Sequence, residues 1–206
     1  DPENALVGRM NLIRLDAESI RDALLSVAEQ RDDSFGGPSV PVTESLEGKV
    51  VLGVQTRRDG LVSGVDSRGT MAGRRSAYIE VRRRLPLNVL ATFDQPEMNP
   101  NCDIRRRSTV ATQALWFLND ELIVEHSNEL ASRLSTEYVT SDSQIVELFQ
   151  RLFGSLPTSD DLRACQEFVV KQAGHFRQSA AANEKPAGNM LTAEEYALSA
   201  LCQALL

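Results

Sequence analysis

The chain has 206 residues, of which 42% are hydrophobic and 25% are charged, and its formal net charge is −7 at pH 7. These proportions are typical of a globular protein with a well-buried core, and no apolar run reaches the roughly 18 to 20 residues that a membrane helix requires. The negative charge, and the lack of a basic helix interleaved with aromatic residues, also argue against a nucleic-acid-binding protein.

Basic residues are concentrated in the centre of the sequence. Between Arg57 and Arg107 there are eleven arginines and six acidic residues, a local charge of +5, so the rest of the chain carries −12. Guanidinium groups pair in a two-pronged geometry with carboxylates and with sulfate- or phosphate-like anions. This arginine-rich block therefore predicts either neutralisation of acidic residues in the same domain or binding of an external anion.

The three cysteines, Cys102, Cys165 and Cys202, are too few and too widely spaced for a disulfide scaffold. No Cys-x-x-Cys or Cys-x-x-Cys-His motif occurs, so the sequence predicts no haem attachment and no zinc knuckle within these residues. A Cys165–Cys202 bridge between two late helices is an alternative, but buried free thiols are the default expectation. The polar start and the apolar end of the sequence predict a domain excised from a longer protein.

The N-terminal part of the sequence predicts a helix over residues 4–30. Asp16 is a suitable N-cap, and Ile20, Leu24 and Val27 fall on one face. Gly36-Gly37-Pro38 ends this pattern.

A strand-like pattern then follows. Residues 50–55 and 61–65 are short and β-branched, and Asp59-Gly60 between them is typical of a hairpin turn. Residues 76–84 alternate in part and predict a further strand, which ends at Leu85-Pro86.

The second half of the sequence predicts helices. A short helix over residues 87–93 precedes a long loop, and two further helices cover 110–118 and 122–134, with a bend predicted at Asn119-Asp120 because Asn and Asp end one helix and cap the next. Four residues are predicted to form the core face of the 110–118 helix: Ala111, Ala114, Leu115 and Leu118. His126 on the next helix is expected to be a hydrogen-bonded core residue rather than a ligand.

Three more helices complete the pattern. Ser141-x-x-Gln144 resembles a capping box before a helix over 145–153 that ends at Gly154, and Thr158 or Ser159 begins the next helix. A polar linker over residues 179–189 and a capping box at Thr192-x-x-Glu195 precede the last helix. The predicted fold is mainly α, a single helical domain over residues 1–206, with a small β-hairpin or sheet insertion around residues 40–84 that is richest in β structure at about 40–73.

No convincing catalytic set is present in the sequence. His126 and His175 lie on separate predicted helices without zinc-ligand spacing, and no Gly-x-Ser-x-Gly elbow occurs. The remaining candidates belong to the arginine-rich block and its flanking acids, and the candidate binding residues are Arg75, Arg82, Arg83, Asp94, Arg105, Arg106 and Asp120. We expect at least one of Arg75, Arg82 and Arg106 to pair with Asp94 or Asp120, since an unpaired buried charge is costly.

The central stretch also resembles a known family. The matching pieces, in order, are Arg74-Arg75-Ser76-Ala77-Tyr78, Arg82-Arg83, Leu85-Pro86, Phe93-Asp94-Gln95-Pro96, Arg105-Arg106, Ser108-Thr109, Thr112-Gln113-Ala114-Leu115 and Leu118-Asn119-Asp120, with outlying pieces at 1–4, 14–23, 36–38 and 200–206. This pattern resembles the planctomycete domain of unknown function family 1553.

The resemblance implies a setting but no catalytic residues. Members are usually the C-terminal part of large secreted or cell-surface proteins with another domain of unknown function upstream, often preceded by a c-type cytochrome domain. It therefore implies an extracytoplasmic (periplasmic or cell-surface) location, no cofactor in this domain, and a possible haem in an upstream domain. Two functions follow as expectations: a non-catalytic module that packs on an upstream domain of the same polypeptide through the arginine-rich block, or part of an enzyme or binding site for an anionic (sulfated or uronic) polysaccharide.

Overall fold

The computed structural model describes residues 3–10, 13–58, 61–66, 71–96, 105, 107–182 and 191–206. The helices of these residues are α1 (Ala17–Val27), α2 (Asn88–Thr92), α3 (Ala111–Asn119), α4 (Glu121–Glu137), α5 (Ser141–Phe153), α6 (Ser159–Ala182) and α7 (Ala193–Leu205). The strands are β1 (Val42–Glu44), β2 (Val50–Leu52), β3 (Val54–Arg58) and β4 (Leu61–Asp66). The fold is mainly α with a small β insertion, as predicted.

The chain divides into two compact units. The first unit comprises Asp1–Asp22 and Asp32–Thr109, and the second comprises Ala23–Arg31 and Val110–Leu206. The division runs through α1, so the two halves of this helix belong to different units. A single domain over residues 1–206 stays a prediction.

The β structure of the first unit consists of two antiparallel pairs, β1 with β2 and β3 with β4. The predicted hairpin is confirmed in part, since Arg58 stands opposite Leu61, but its first strand covers residues 54–58 rather than 50–55. Its predicted turn at Asp59-Gly60 lies outside the described residues. The predicted strand over 50–55 is instead divided at Gly53. Gly53 has φ +123°, and a Cβ there would meet the Asp66 carbonyl oxygen at 2.4 Å, so only glycine fits this break.

The strand predicted over residues 76–84 is wrong. Ser76–Tyr78 forms a short 3-10 helix, and Ile79 makes one isolated parallel bridge with Val40. The Ile79 amide donates to the Ser76 carbonyl at 3.1 Å, which closes the chain locally, and the only described strand-like contacts are two hydrogen bonds around Val40. Without a partner strand the partial alternation of this stretch has no sheet to join, and Arg82 to Arg84 are exposed.

The N-terminal helix is shorter than predicted. It begins at Ala17 rather than Asn4, and Asp16 precedes it, with the Ile20 amide donating to the Asp16 carbonyl at 2.9 Å. Asn4 has φ +52°, and its side chain exchanges hydrogen bonds with the backbone of Arg9 at 2.7 and 3.2 Å. This local side-chain pairing competes with helix formation, as is typical of Asn.

The second unit is built on an apolar core between α4, α5, α6 and α7. Its fully buried members include Leu134, Ile145, Leu148 and Cys202, each at 0% exposure. Contacts between side chains of this size supply most of the free energy of folding. Cys165 and Cys202 are both buried free thiols, so the alternative of a disulfide between them is excluded, whereas Cys102 lies outside the described residues.

The ends of these helices follow the sequence closely. Gly154 adopts φ +65° after α5, and Thr192 with Glu195 forms the predicted capping box of α7. The N-cap of α5 is Thr140, one residue before the predicted Ser141, and its side chain accepts from the Ser143 amide. Helix α6 continues to Ala182, so the predicted linker over 179–189 starts later than expected.

The break between α3 and α4 is confirmed. Asp120 is extended, with φ −75° and ψ 136°, and its carboxylate accepts from the Leu122 amide at 3.1 Å. The predicted core face of α3 is wrong, because Leu115 and Leu118 are 54% and 59% exposed while Gln113 is buried. The pattern identified an apolar face correctly, but no described element covers it.

Candidate functional site

Asp94 joins three separate segments of the first unit. It follows α2 in the left-handed region, with φ +63°. Its carboxylate accepts from the Arg14 guanidinium at 2.6 Å, the Ser108 amide at 2.7 Å and the Ser108 hydroxyl at 2.8 Å. Burial raises the pKa of Asp94, but the hydrogen bonds from Ser108 and Arg14 outweigh it and hold this pKa below its usual value. Asp94 is thus ionised and fixed by its hydrogen bonds, and its carboxylate is not free to bind an external ligand.

Arg105 pairs with the first turn of α1. Its Nη2 donates to both carboxylate oxygens of Glu18, at 2.6 and 2.7 Å, and its Nη1 lies 3.1 Å from Asp16 Oδ2. Arg107 adds a weaker contact to Asp16 at 3.5 Å. Burial lowers the pKa of Arg105, but the two acids outweigh it and raise this pKa above the ordinary value. The positive charge of Arg105 is therefore neutralised by acidic residues of the first unit.

Arg21 is a buried arginine that the sequence analysis did not select. It is 1% exposed and donates to the Arg74 carbonyl at 2.8 Å, the Ala72 carbonyl at 2.6 Å and the Ser76 hydroxyl at 3.3 Å. Burial lowers the pKa of Arg21 to about 10, which the charge of Asp22 partly offsets. Asp22 in turn accepts from the Ser76 amide at 2.7 Å. Together they hold the backbone of residues 72–76 against α1.

Arg74 is a second arginine whose guanidinium binds backbone carbonyls. Its guanidinium donates to the carbonyls of Gly36 and, at 3.0 Å, Pro38, and it lies over the Tyr78 ring at 4.1 Å. Gly37 has φ +92°, and a Cβ there would stand 3.1 Å from the guanidinium. The Gly36-Gly37-Pro38 turn is thus shaped around Arg74.

Within the first unit, the described members of the predicted site have separate partners. Arg75 lies 3.6 Å from Asp22 and Arg82 lies 3.1 Å from Glu80, and both side chains are about half exposed, at 57% and 45%. The expected pairing of either with Asp94 or Asp120 is not found among the described residues, since Arg14 occupies Asp94. The remaining predicted residues are Arg83, which is exposed, Asp120, which caps α4 in the second unit, and Arg106, which lies outside the described residues.

Arg14, Arg21, Asp22, Arg74 and Ser108 were missed as site residues, although all lie in the pieces that carry the family resemblance. A signal for Arg21 was present. It is buried together with Ala17, Leu24 and Ala28, spaced as one face of α1, so a charged residue occupied a core position. Such a position requires hydrogen-bond partners, which the backbone supplies.

No group of three or more His, Cys, Asp and Glu among the described residues could hold a metal ion. Burial raises the pKa of the Cys202 thiol to about 12, so it is protonated at neutral pH and a poor nucleophile. His126 is buried on α4. None of the described helices combines the length and apolarity needed to cross a membrane.

Comparison with known proteins gives a family but no described function. No curated protein matches the chain, and no solved structure matches it. The model of the PSD1 family, Protein of unknown function (DUF1553), matches residues 1–169, which include every contact of the Asp94, Arg105, Arg21 and Arg74 groups. Because this model covers most of the sequence, the chain belongs to the DUF1553 family.

Proposed function

We propose that this chain is a non-catalytic helical module of a multidomain extracytoplasmic protein, and that the exposed part of its arginine-rich block packs on an upstream domain of the same polypeptide. The proposal rests on the ion pairs of Arg105, which already lies 3.1 Å from Asp16 and 2.6 Å from Glu18. An external anion would have to displace two carboxylates that the fold holds in place. The interior arginines therefore support a scaffold rather than a binding cleft.

The exposed part of the block has a different character. Arg75, Arg82, Arg83 and Arg84 are exposed, and among the described residues no carboxylate forms an ion pair with Arg83 or Arg84. Arginine forks of this kind suit a carboxylate-bearing protein surface, because each carboxylate can accept two parallel hydrogen bonds. The upstream domain would supply those acids.

The same exposed arginines favour one second candidate function. An anionic polysaccharide, sulfated or uronic, offers the same two-pronged acceptors as a protein carboxylate. In that case the chain would contribute binding residues to an enzyme or binding site of the parent. The extracytoplasmic location, and a haem in an upstream domain, are proposals that rest on the family resemblance.

The test replaces three arginines together, Arg82→Ala, Arg83→Ala and Arg84→Ala. Its matched control removes three exposed cations that lie outside the arginine-rich block: Arg9→Ala, Lys49→Ala and Arg163→Ala. Calorimetry would measure binding to the separately produced upstream part of the parent, to dextran sulfate and to polygalacturonate.

The module proposal expects the wild type and the control to bind the upstream part, the triple variant to lose that binding, and neither polymer to bind. Polymer binding that disappears in the triple variant alone would replace the proposal with the polysaccharide function. Binding of the upstream part that is unaffected by the triple variant would show that the arginine-rich block is not the interface.

A further inference from the structure

Helix α3 exposes an apolar face of the kind that proteins usually bury. Leu115 and Leu118 are 54% and 59% exposed, and Val110 just before the helix is 47% exposed. The exposed Ala111 and Ala114 complete a set spaced i, i+3, i+4 and i+7, which is one face of a helix. Isolated exposed leucines are ordinary, but a continuous apolar helix face is typical of an interaction surface.

The last turn of α3 is hydrogen-bonded to α7, so the exposed face is not a frayed end. Gln203 on α7 donates to the carbonyls of Phe117 and Leu118, at 3.3 and 2.9 Å. Gln113 is buried, and the Trp116 and Phe117 rings pack edge to face at 5.3 Å. All of these contacts lie within the second unit. The last turn of α3, which carries Leu115 and Leu118, is thus attached to the second unit.

An acidic row on α4 begins three residues after the last leucine of this face. Glu121, Glu125 and Glu129 are exposed and spaced i, i+4 and i+8 along α4. Glu121 follows Leu118 by three residues, so their Cα atoms lie within about 11 Å. Burial, and then the charges of Glu121 and Glu129, raise the pKa of Glu125 above its usual value. Among the described residues no cation pairs with Glu121 or Glu125, whereas Glu129 has Arg133 at 3.8 Å.

From this combination we propose that the α3 face and the adjacent α4 acids form a docking surface for an amphipathic helix that carries Arg or Lys beside an apolar stripe. Side-chain ridges of a partner helix fit the grooves between the ridges of α3, whose nine residues offer about 13 Å of length. Basic side chains on the partner would neutralise the acidic row. The surface uses none of the arginine-block residues and is independent of the function proposed above.

Charge disfavours two other occupants. An anionic membrane surface would be repelled by Glu121 and Glu125, and a symmetric second copy of this chain would place one acidic row against another. Both occupants nevertheless give distinct results in the test described below.

The test uses the whole chain and two labelled 18-residue helical peptides with the same leucine stripe, one flanked by lysines and the other by glutamates. Fluorescence anisotropy would measure their affinities for the wild type and for two variants, Leu115→Gln/Leu118→Gln and Glu121→Gln/Glu125→Gln. The matched control for the leucines is Leu156→Gln/Val170→Gln, which removes apolar residues that are 65% and 73% exposed elsewhere. The control for the acids is Glu167→Gln on α6, another exposed position.

The lysine peptide is expected to bind the wild type and both controls. The double leucine variant should weaken binding by about tenfold or more, since burying a leucine side chain accounts for a factor of this order. The double glutamate variant should weaken it about threefold to tenfold, and this difference should shrink at high salt, where the Debye length falls to about 3 Å. The glutamate peptide should bind at least tenfold more weakly than the lysine peptide.

Several results would overturn the proposal. These are absence of lysine-peptide binding, equal affinity for the two peptides, and equal losses in the controls. Light scattering that shows a dimer only when Leu115 and Leu118 are intact would identify a second copy as the occupant. Sedimentation with phosphatidylglycerol vesicles that depends on the same two leucines would identify a membrane. Circular dichroism of each variant separates these results from a failure to fold.

Discussion

The two units of the chain are stabilised in different ways. The first unit ties distant segments through buried or half-buried arginines, with Arg21 bonded to backbone carbonyls and Arg14 and Arg105 bonded to carboxylates. The second unit relies on an apolar core of contiguous amphipathic helices, and its ion-pair network around Arg151 joins Glu29, Glu137 and Glu147 outside that core. The irregular segments of the first unit are fixed by directional hydrogen bonds in addition to apolar burial, whereas the helices of the second unit are fixed mainly by burial of their apolar faces.

The largest expected effect comes from Arg21→Ala. The substitution leaves two carbonyls and the Ser76 hydroxyl without this donor and removes the cation next to Asp22. We expect the free energy of unfolding to fall by about 3 to 5 kcal/mol, as when one member of a buried polar pair is removed. Urea denaturation measures the loss, and hydrogen exchange should place it in the first unit. A loss below about 1 kcal/mol, similar to that of the exposed control Arg163→Ala, would contradict the role assigned to Arg21.

Leu134→Ala tests whether the stability of the second unit depends on its apolar core. Leu134 is 0% exposed in the core between the helices, so truncation leaves a cavity. The expected loss of unfolding free energy is about 3 kcal/mol. Hydrogen exchange should increase in α4 to α7 rather than in the first unit. The exposed control Leu156→Ala should lose less than about 0.5 kcal/mol, and similar losses for the two variants would refute an apolar core at this position.

Asp94→Asn tests the polar contacts of the first unit through the pH dependence of the unfolding free energy. Because the pKa of folded Asp94 is lowered, its ionised form contributes stability above the unfolded pKa of about 3.9, and this contribution is lost as pH falls through the folded pKa. The variant should lose about 1.5 to 3 kcal/mol at pH 7, the range for hydrogen bonds to a charged group. The difference from wild type should shrink as pH falls below about 4. The control is Asp160→Asn, whose carboxylate is 83% exposed, and a difference that grows in acid would show that the sign is wrong.

The smallest effect is expected for Arg82→Ala. Its contact with Glu80 is solvent-exposed, and pairs of this type contribute at most about 1 kcal/mol. The melting temperature should therefore change by no more than a few degrees. A loss comparable to that of Arg21→Ala would show that the exposed part of the arginine-rich block also stabilises the first unit.

Much of the second unit could be predicted from local patterns. The periodicity of residues 122–134, Gly154 and the Thr192–Glu195 capping box each act within one or two helical turns, so neighbouring residues contain the necessary information. The strand predicted over 76–84 failed because a strand exists only with a partner, and sequence alternation does not specify one. The long predicted N-terminal helix failed because the Asn4 side chain bonds to the backbone of Arg9.

The candidate site likewise has a part that the sequence predicted and a part that it did not. The sequence analysis selected Asp94 and Arg105 as candidate residues, but the partners it expected for Asp94 were Arg75, Arg82 or Arg106. The actual partners of these two residues are Arg14 and Glu18, which are separated from them by 80 and 87 positions. Pairing at such a distance depends on how α1 lies against the loops of its unit, which no local pattern encodes.

The sequence by itself determined the mainly helical fold, the helix caps and the concentration of arginines, because periodicity, capping and composition are local properties. Only the tertiary structure decided which arginines are structural and which remain exposed. It also decided that the apolar face of α3 is left uncovered, although its pattern is that of a core helix. The reason is physical: an amphipathic pattern specifies that a face should be buried, whereas the covering surface is supplied by whatever packs against it.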